Sequence, residues 1–495
     1  MRALYVAVQL FALFCVPSAA NEWQDYARRD LKFIYKTIAD NHPGPKDREN
    51  PWFRRYLNSG YKKAEKDIAV IKNHTDYKAL LRRYAGGFKD VHISLMFRPY
   101  SGYTMWPGFI IEKQDGEYRV IEVEPEATIP GALPEKGWTL RSCDGLTPGE
   151  IMKKHIFPFS SAKSNLPAEW TVYSRELLLY APNAWKPMYQ ECVFSDGRKE
   201  TALPLSYRTI TLDNLKTKTD YKRDPLEVTT PADGIVWITL PSFALDPAGE
   251  IKMRAIIASM PQYRGAKYAV FDVRGNSGGS SVWGNELIES LYGSGFTNYL
   301  RRQTTGLKPV YAEFRASREN LQYLTNEMIP AVKKAYGTNS IFLKQFTASA
   351  KNMAVALKHG RAFARKGETA DFAGSPQPAA APGTASSARA VILIDGKCIS
   401  SCLSFVDLAS RLPDAVLAGQ PTNADTNYTE LREKRLPSDI GILMFAIAVY
   451  RNRTRSSDFY YSPQYLWEKS IDESAAVREW ILKEVIPDLH KQNPS

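Results

Sequence analysis

From Gly234 onward, apolar runs of strand length alternate with helical stretches, and that alternation leaves few architectures open. "GIVWITL" and "AKYAVFDV" flank a helical stretch from Pro247 to Met260, and a second helix follows from Ser280 to Tyr292. The order repeats further on with "ARAVILID", a helix from Ser401 to Leu412, and "AVLAG". Buried strands separated by helices predict an α/β layer built on a largely parallel sheet. Between the two halves lies a basic segment, Thr297 to Ala373, which reads as a mostly helical insertion. Gly374 to Ser387, "GSPQPAAAPGTASS", has a Pro/Ala/Gly/Ser composition that cannot build a core and reads as a tether.

The chain before Gly234 is patterned differently. Residues 22–89 carry apolar side chains at three- and four-residue intervals, among them Trp23, Leu31, Ile34, Tyr77 and Leu80, and read as helices broken by the Pro- and Gly-containing stretch Asn41 to Pro51. From His92 to about Ile210 short alternating segments predict a small β-rich module with a helix starting near Pro148. A charged linker, Lys216 to Glu227, follows. The expected division is therefore 1–20 leader, 21–98 helical region, 99–212 β-rich module, 213–233 linker and 234–495 α/β domain, with 297–387 as helical insertion and tether. A chain of 495 residues that is 44% hydrophobic is too long and too apolar for a disordered tail or a small disulfide scaffold.

The formal charge of +12 is unevenly spread. Residues 21–98 hold 17 Lys/Arg against 10 Asp/Glu, and residues 296–389 hold 14 against 5, so the rest of the chain is slightly acidic. That distribution, without aromatics ordered for base stacking, argues against a nucleic-acid binder. Met1-Arg2, the apolar run Ala3 to Val16 and the small residues through Ala20 read as a signal peptide cleaved after Ala20, which implies a periplasmic or secreted protein. The apolar run is shorter than the ~20 residues a membrane span needs, so no transmembrane anchor is expected. Four cysteines remain in that oxidising compartment, and a Cys143–Cys192 bridge is expected, with Cys398 and Cys402 left open.

Two segments carry chemistry. In "FDVRGNSGGSS", Phe271 to Ser281, a buried strand runs through consecutive glycines into a helix, which lets backbone N–H groups face a cleft and hold an anion or oxyanion. In "VILIDGKCISSCLSFVDLASRL" a strand ends at Asp395, a turn follows, and Ser400 stands at the positive end of a helix. A strand, turn, serine and helix in that order suit a serine nucleophile. No spacing of His, Cys and Asp resembles a metal-ligand set, and no cofactor is implied.

Asp272 to Gly279, then Cys398 to Cys402, then "AVLAGQPTNADTNY" together resemble the C-terminal processing, or tail-specific, serine peptidases, in particular the tricorn-like branch. The resemblance implies a ClpP/crotonase-like α/β peptidase domain, and a PDZ-like central module is suggested by "YTMWPGFIIEK" and "GALPEKGWTLRSCDGLTP". Ser400 matches the nucleophile, and the amides of Gly278 or Gly279 and of Ser401 match the oxyanion hole. Tail-specific members use a lysine base in the element that here reads Thr422-Asn423-Ala424-Asp425, so Asp425 stands where that lysine would be. The tricorn-like branch supplies a histidine instead, and "GGFKDVHISLMF" places His92 there, an imidazole suited to general base and acid work near neutral pH. The serine that precedes this histidine in the branch is Val91 here. The orienting acid is expected to be Asp458, with Asp425 or Glu430 as alternatives; Asp90 reads as fixing the local turn, and Lys397 is a second choice of base. The implied function is endopeptidase hydrolysis of peptide or protein substrates through an acyl-enzyme, the alternative being an inactive peptide- or ligand-binding protein on the same fold. The basic insertion reads as a solvated helical surface around the cleft; a sharper reading makes Arg301, Arg302, Arg315, Arg318, Lys333 and Lys334 a rim that attracts acidic peptides or a substrate's C-terminal carboxylate.

Overall fold

The computed structural model describes residues 22–98, 102–124, 133–179, 183–304, 310–367 and 382–492. The expected signal peptide and most of the tether lie outside them. The chain is a multidomain α/β protein with an N-terminal helical region, a β-rich central module and an α/β domain. Among the described residues no helix is long and apolar enough to cross a membrane.

The α/β domain is centred on a six-stranded sheet in the order Tyr465–Leu466, Val416–Gly419, Arg389–Ile394, Tyr268–Asp272, Ile235–Thr239, Glu227–Ala232. All neighbours are parallel except the last pair. The inner strands are mostly apolar because both faces are covered, whereas the edge strands Glu227–Ala232 and Tyr465–Leu466 are partly exposed. Val236 and Ile238 enter a core shared with Leu287 of helix Ser281–Tyr292 and Phe405 of helix Ser401–Ala409. Ile235 and Trp237 point the other way, against Val477 and Ile481 of the C-terminal helices. The segment expected as a linker contributes structure on both sides of its charged centre. Leu212–Thr219 is a helix capped by the Thr211 hydroxyl, and Glu227–Ala232 is the antiparallel edge strand.

A second, antiparallel sheet brings distant parts of the chain together. Its long strand Gly441–Arg451 pairs along one edge with Ser94–Phe97 and Tyr311–Arg315, and along the other with Tyr428–Arg435. Phe363–Arg365 extends it beyond Tyr311–Arg315. The insertion is therefore not simply helical. "YAEFR" buries Ala312 and Phe314 on alternate positions, a period of two that its brevity and charges obscure in the sequence. This sheet, the insertion helix Ile341–Lys358 and the N-terminal helices Glu22–Asn41, Pro51–Asp67 and His74–Gly86 close around one core that includes Ile34, Phe53, Tyr77, Phe314, Met353 and Phe445. Burial of such side chains stabilises by roughly 1.5–3 kcal/mol each, so the N-terminal helices are bound to the sheet by their apolar face.

The central module is a five-stranded antiparallel sheet, Phe109–Gln114, Glu117–Val123, Thr139–Cys143, Glu191–Ser195 and Glu200–Pro204, with a separate apolar core. Its helix starts at Pro148 behind Thr147, whose hydroxyl accepts the Glu150 amide while the Glu150 carboxylate accepts the Thr147 amide. Cys143 and Cys192 face one another across paired strands and are bridged, as expected. Closing that loop of 49 residues is worth about 4 kcal/mol in the chain-entropy account.

Candidate active site

The strand Arg389–Ile394 delivers its chain to Asp395, whose buried carboxylate accepts the amides of Gly275 at 2.8 Å and Lys397 at 3.0 Å. One side chain thus ties the glycine loop after strand Tyr268–Asp272 to the turn that carries the serine. Burial pushes the Asp395 carboxyl up to about 6, although both amides and the Arg274 and Lys397 charges oppose that. A disulfide between Cys398 and Cys402 brackets the turn. At its apex Ser400 has φ 58° and ψ −121°, a conformation L-residues seldom adopt, and helix Ser401–Ala409 begins directly after it. Holding a non-glycine residue in such a sparsely populated conformation costs about 1–3 kcal/mol, and strain of this kind clusters at functional sites.

The glycine loop packs against that apex. Gly278 has φ 97°, and a Cβ built on it would stand 2.9 Å from the Ser400 Cβ. Gly279 has φ 131°, and its Cβ would lie 2.0 Å from the Phe243 carbonyl carbon. Only glycine fits either place. The Gly278 amide donates to the Asn276 side chain at 2.9 Å and so is not available as an oxyanion donor. Among the described residues the Gly279 and Ser401 amides donate to no protein acceptor, and Ser401 is in the first turn of its helix, where the amide has no intrahelical partner.

His92 reaches the same point from the other end of the chain. It lies just before strand Ser94–Phe97, whose pairing with Gly441–Met444 anchors it. Its Nε2 is 3.5 Å from the Ser400 Oγ. Its Nδ1 is 3.5 Å from Oδ1 of Asp90, and the same oxygen accepts the His92 amide at 3.0 Å and the Thr426 hydroxyl at 2.9 Å. The other Asp90 oxygen lies 3.4 Å from Nε2 of His42. Burial opposes a charged His92, but the Asp90 contact outweighs it with help from Asp425, and the imidazole is raised above its ordinary value. Asp90 is held below the usual carboxylate range, because contacts from both histidines overcome the cost of its burial.

The expected acids sit elsewhere. Asp458 is ion-paired with Lys163 of the central module and does not face His92; its amide donates to the Asp425 carbonyl at 3.1 Å. Glu430 is ion-paired with Lys366. Asp425 is buried near His92, but its carboxylate is held by Arg455 at 2.5 Å and Arg453 at 3.1 Å. The Lys397 ammonium lies over the Tyr221 ring at 4.9 Å. Asp90 does fix the turn as expected, and it also faces the imidazole, a second role that the spacing Asp90-x-His92 alone could not reveal. His42 left no signal beyond its Pro-rich surroundings. Of the basic rim, Arg301 is paired with Glu289 and Arg315 donates to the Ala316 and Ala362 carbonyls, while the Arg302 side chain lies outside the described residues.

Residues 234–459 match peptidase family S41, and the chain carries a peptidase domain of that family. The fold is shared beyond that domain. The crystal structure of mature CPAF superposes with a TM-score of 0.60 at 12% identity, covering 96% of this chain and 99% of that one. Mature CPAF complexed with lactacystin gives 0.60 at 13% identity, covering 95% of this chain and all of the other. No curated protein sequence matches this chain. A domain of that family supports a serine-type peptidase, a hydrolase class whose substrates are peptides or proteins.

Proposed function

We propose that the protein is an endopeptidase that acts through an acyl-enzyme, with Ser400 as nucleophile and His92 as its base. The observation that carries this reading is the 3.5 Å approach of His92 Nε2 to the Ser400 Oγ, with the serine at a helix N-terminus beside two unoccupied amides. Catalytic hydrogen bonds are often this long before substrate binds. As Ser400 Oγ attacks the scissile carbonyl carbon, His92 Nε2 takes its proton, and the carbonyl oxygen becomes anionic between the amides of Gly279 and Ser401. The imidazolium then protonates the leaving amine, and water admitted to the acyl-enzyme is deprotonated by the same nitrogen. Asp90, rather than Asp458, holds the Nδ1 proton and so keeps Nε2 free to accept. The central module, PDZ-like in sequence, lies next to this site through the Lys163–Asp458 ion pair.

Secretion or a periplasmic location belongs to the same reading, and the leader-like residues 1–20 and the bridges Cys143–Cys192 and Cys398–Cys402 support it. A fluorophosphonate tests the mechanism without a known substrate. The wild type is expected to be labelled at Ser400, Ser400→Ala not at all, and His92→Ala at least about 100-fold more slowly. Absence of label on the folded wild type, or equal labelling of His92→Ala, sinks it.

A further inference from the structure

His42 ends the helix Glu22–Asn41, with its amide bonded to the Ile38 carbonyl at 3.1 Å. Its ring is fully buried, stacked on Phe53 at 4.5 Å and met edge-on by Tyr428 at 4.7 Å. The Gly44 amide donates to its Nδ1 at 3.0 Å, so Nδ1 carries no proton and the neutral ring must carry it on Nε2. Burial outweighs the nearby Asp90 charge and keeps the ring below its ordinary value, which agrees with a neutral imidazole. That Nε2 faces Asp90 Oδ2 at 3.4 Å, and Asp90 Oδ1 faces His92 Nδ1 at 3.5 Å. His42 Nε2, Asp90 Oδ2 and His92 Nδ1 are buried and make no hydrogen bond among the described residues, and the contacts at 3.4 and 3.5 Å are the ones that could pair them. Buried polar atoms left unpaired are costly, so a closing of these gaps by a few tenths of an ångström is favoured.

We propose that His42 is a positioning residue for the hydrolysis, donating from Nε2 to Asp90 and thereby fixing the carboxylate that orients His92 toward Ser400. The row His42, Asp90, His92, Ser400 is then one continuous device supplied by the turn after the first helix, the segment before strand Ser94–Phe97, and the nucleophile turn. This rests on the Ser400–His92 reading. Two substitutions separate the two contacts of the ring. His42→Asn keeps an acceptor for the Gly44 amide but is too short to reach Asp90, whereas His42→Gln carries an amide donor to the place of Nε2.

The readouts are the second-order rate of fluorophosphonate labelling at Ser400 and the thermal midpoint of each full-length variant. We expect His42→Asn to be labelled about tenfold or more slowly than the wild type and His42→Gln to return to within about threefold, at similar midpoints. Labelling of His42→Asn at the wild-type rate overturns the proposal, as does a His42→Gln rate as low as that of His42→Asn. Should either variant fail to fold, His42→Leu decides: a folded, rapidly labelled His42→Leu overturns the proposal, and a folded, slowly labelled one supports it. A wild type that takes no label overturns the Ser400–His92 reading and this inference with it, a result distinct from the other outcomes.

Discussion

Ser400 holds its strained backbone because the surrounding contacts fix it: Asp395 ties the two loops, and the glycine pair allows the close approach. His92 is tuned by its own neighbours. Asp90 and, further off, Asp425 face it, the latter offset by Arg453 and Arg455, and their sum raises the imidazole above its ordinary 6.5. A base must be neutral to accept the serine proton, so labelling should rise with pH through a midpoint above 6.5. The linkage runs the opposite way. A histidine raised in the fold contributes stability that is complete below its unfolded value and lost as pH rises through the folded one, so the active form is the less stabilised form. Asp90→Asn removes the charge, and its labelling midpoint should move down while the plateau rate falls by at least about 100-fold. The pH profile of labelling checks both; a midpoint unmoved by Asp90→Asn would show that this carboxylate does not set the base.

Short apolar runs of strand length were legible as elements in the sequence. "GIVWITL", "AKYAVFDV" and "ARAVILID" became adjacent parallel strands because short, mostly apolar runs rich in Val, Ile and Phe and too short for a helix suit strands covered on both faces. The helix at Pro148 was readable from the turn that caps it. What escaped was set by partners far along the chain. "YAEFR" is a strand because Gly441–Arg451 offers it an edge, and Asp90 meets His92 and His42 only after three helices have packed. Asp458, expected as the orienting acid, is paired with Lys163 instead, because the sequence does not tell which cation from another module a carboxylate will find. At the oxyanion loop the Gly278 amide is taken by Asn276, whereas the Gly279 and Ser401 amides have no protein acceptor among the described residues. Gly279→Ala would force a Cβ to within 2.0 Å of the Phe243 backbone at φ 131°, so the loop must move away from Ser400. Labelling is expected to fall by at least about 100-fold, the scale of a lost oxyanion donor, with the global fold kept by circular dichroism. Near-normal labelling would show that the loop does not serve the oxyanion.

On the scale of the whole molecule, the N-terminal region and the insertion, the two segments that concentrate the positive charge, share one core. Ala27 near the start of the chain and Val449 near its end belong to the same cluster, and Leu95 stands opposite Leu443 in the sheet. The base therefore reaches the nucleophile only while the N-terminal helices, the insertion and the hairpin Tyr428–Arg451 remain packed. Leu443 is fully buried, and Leu443→Ala removes methyl groups at the point where strand Ser94–Phe97 docks, at a cost of about 2–5 kcal/mol. The substitution touches neither Ser400 nor His92. It should lower the temperature at which labelling is lost by the same interval as it lowers the midpoint of the helical signal, because one cooperative unit carries both. Labelling that outlasts the melting of the helices would mean that His92 is delivered by a unit that folds without them, and the shared core would then be incidental to catalysis.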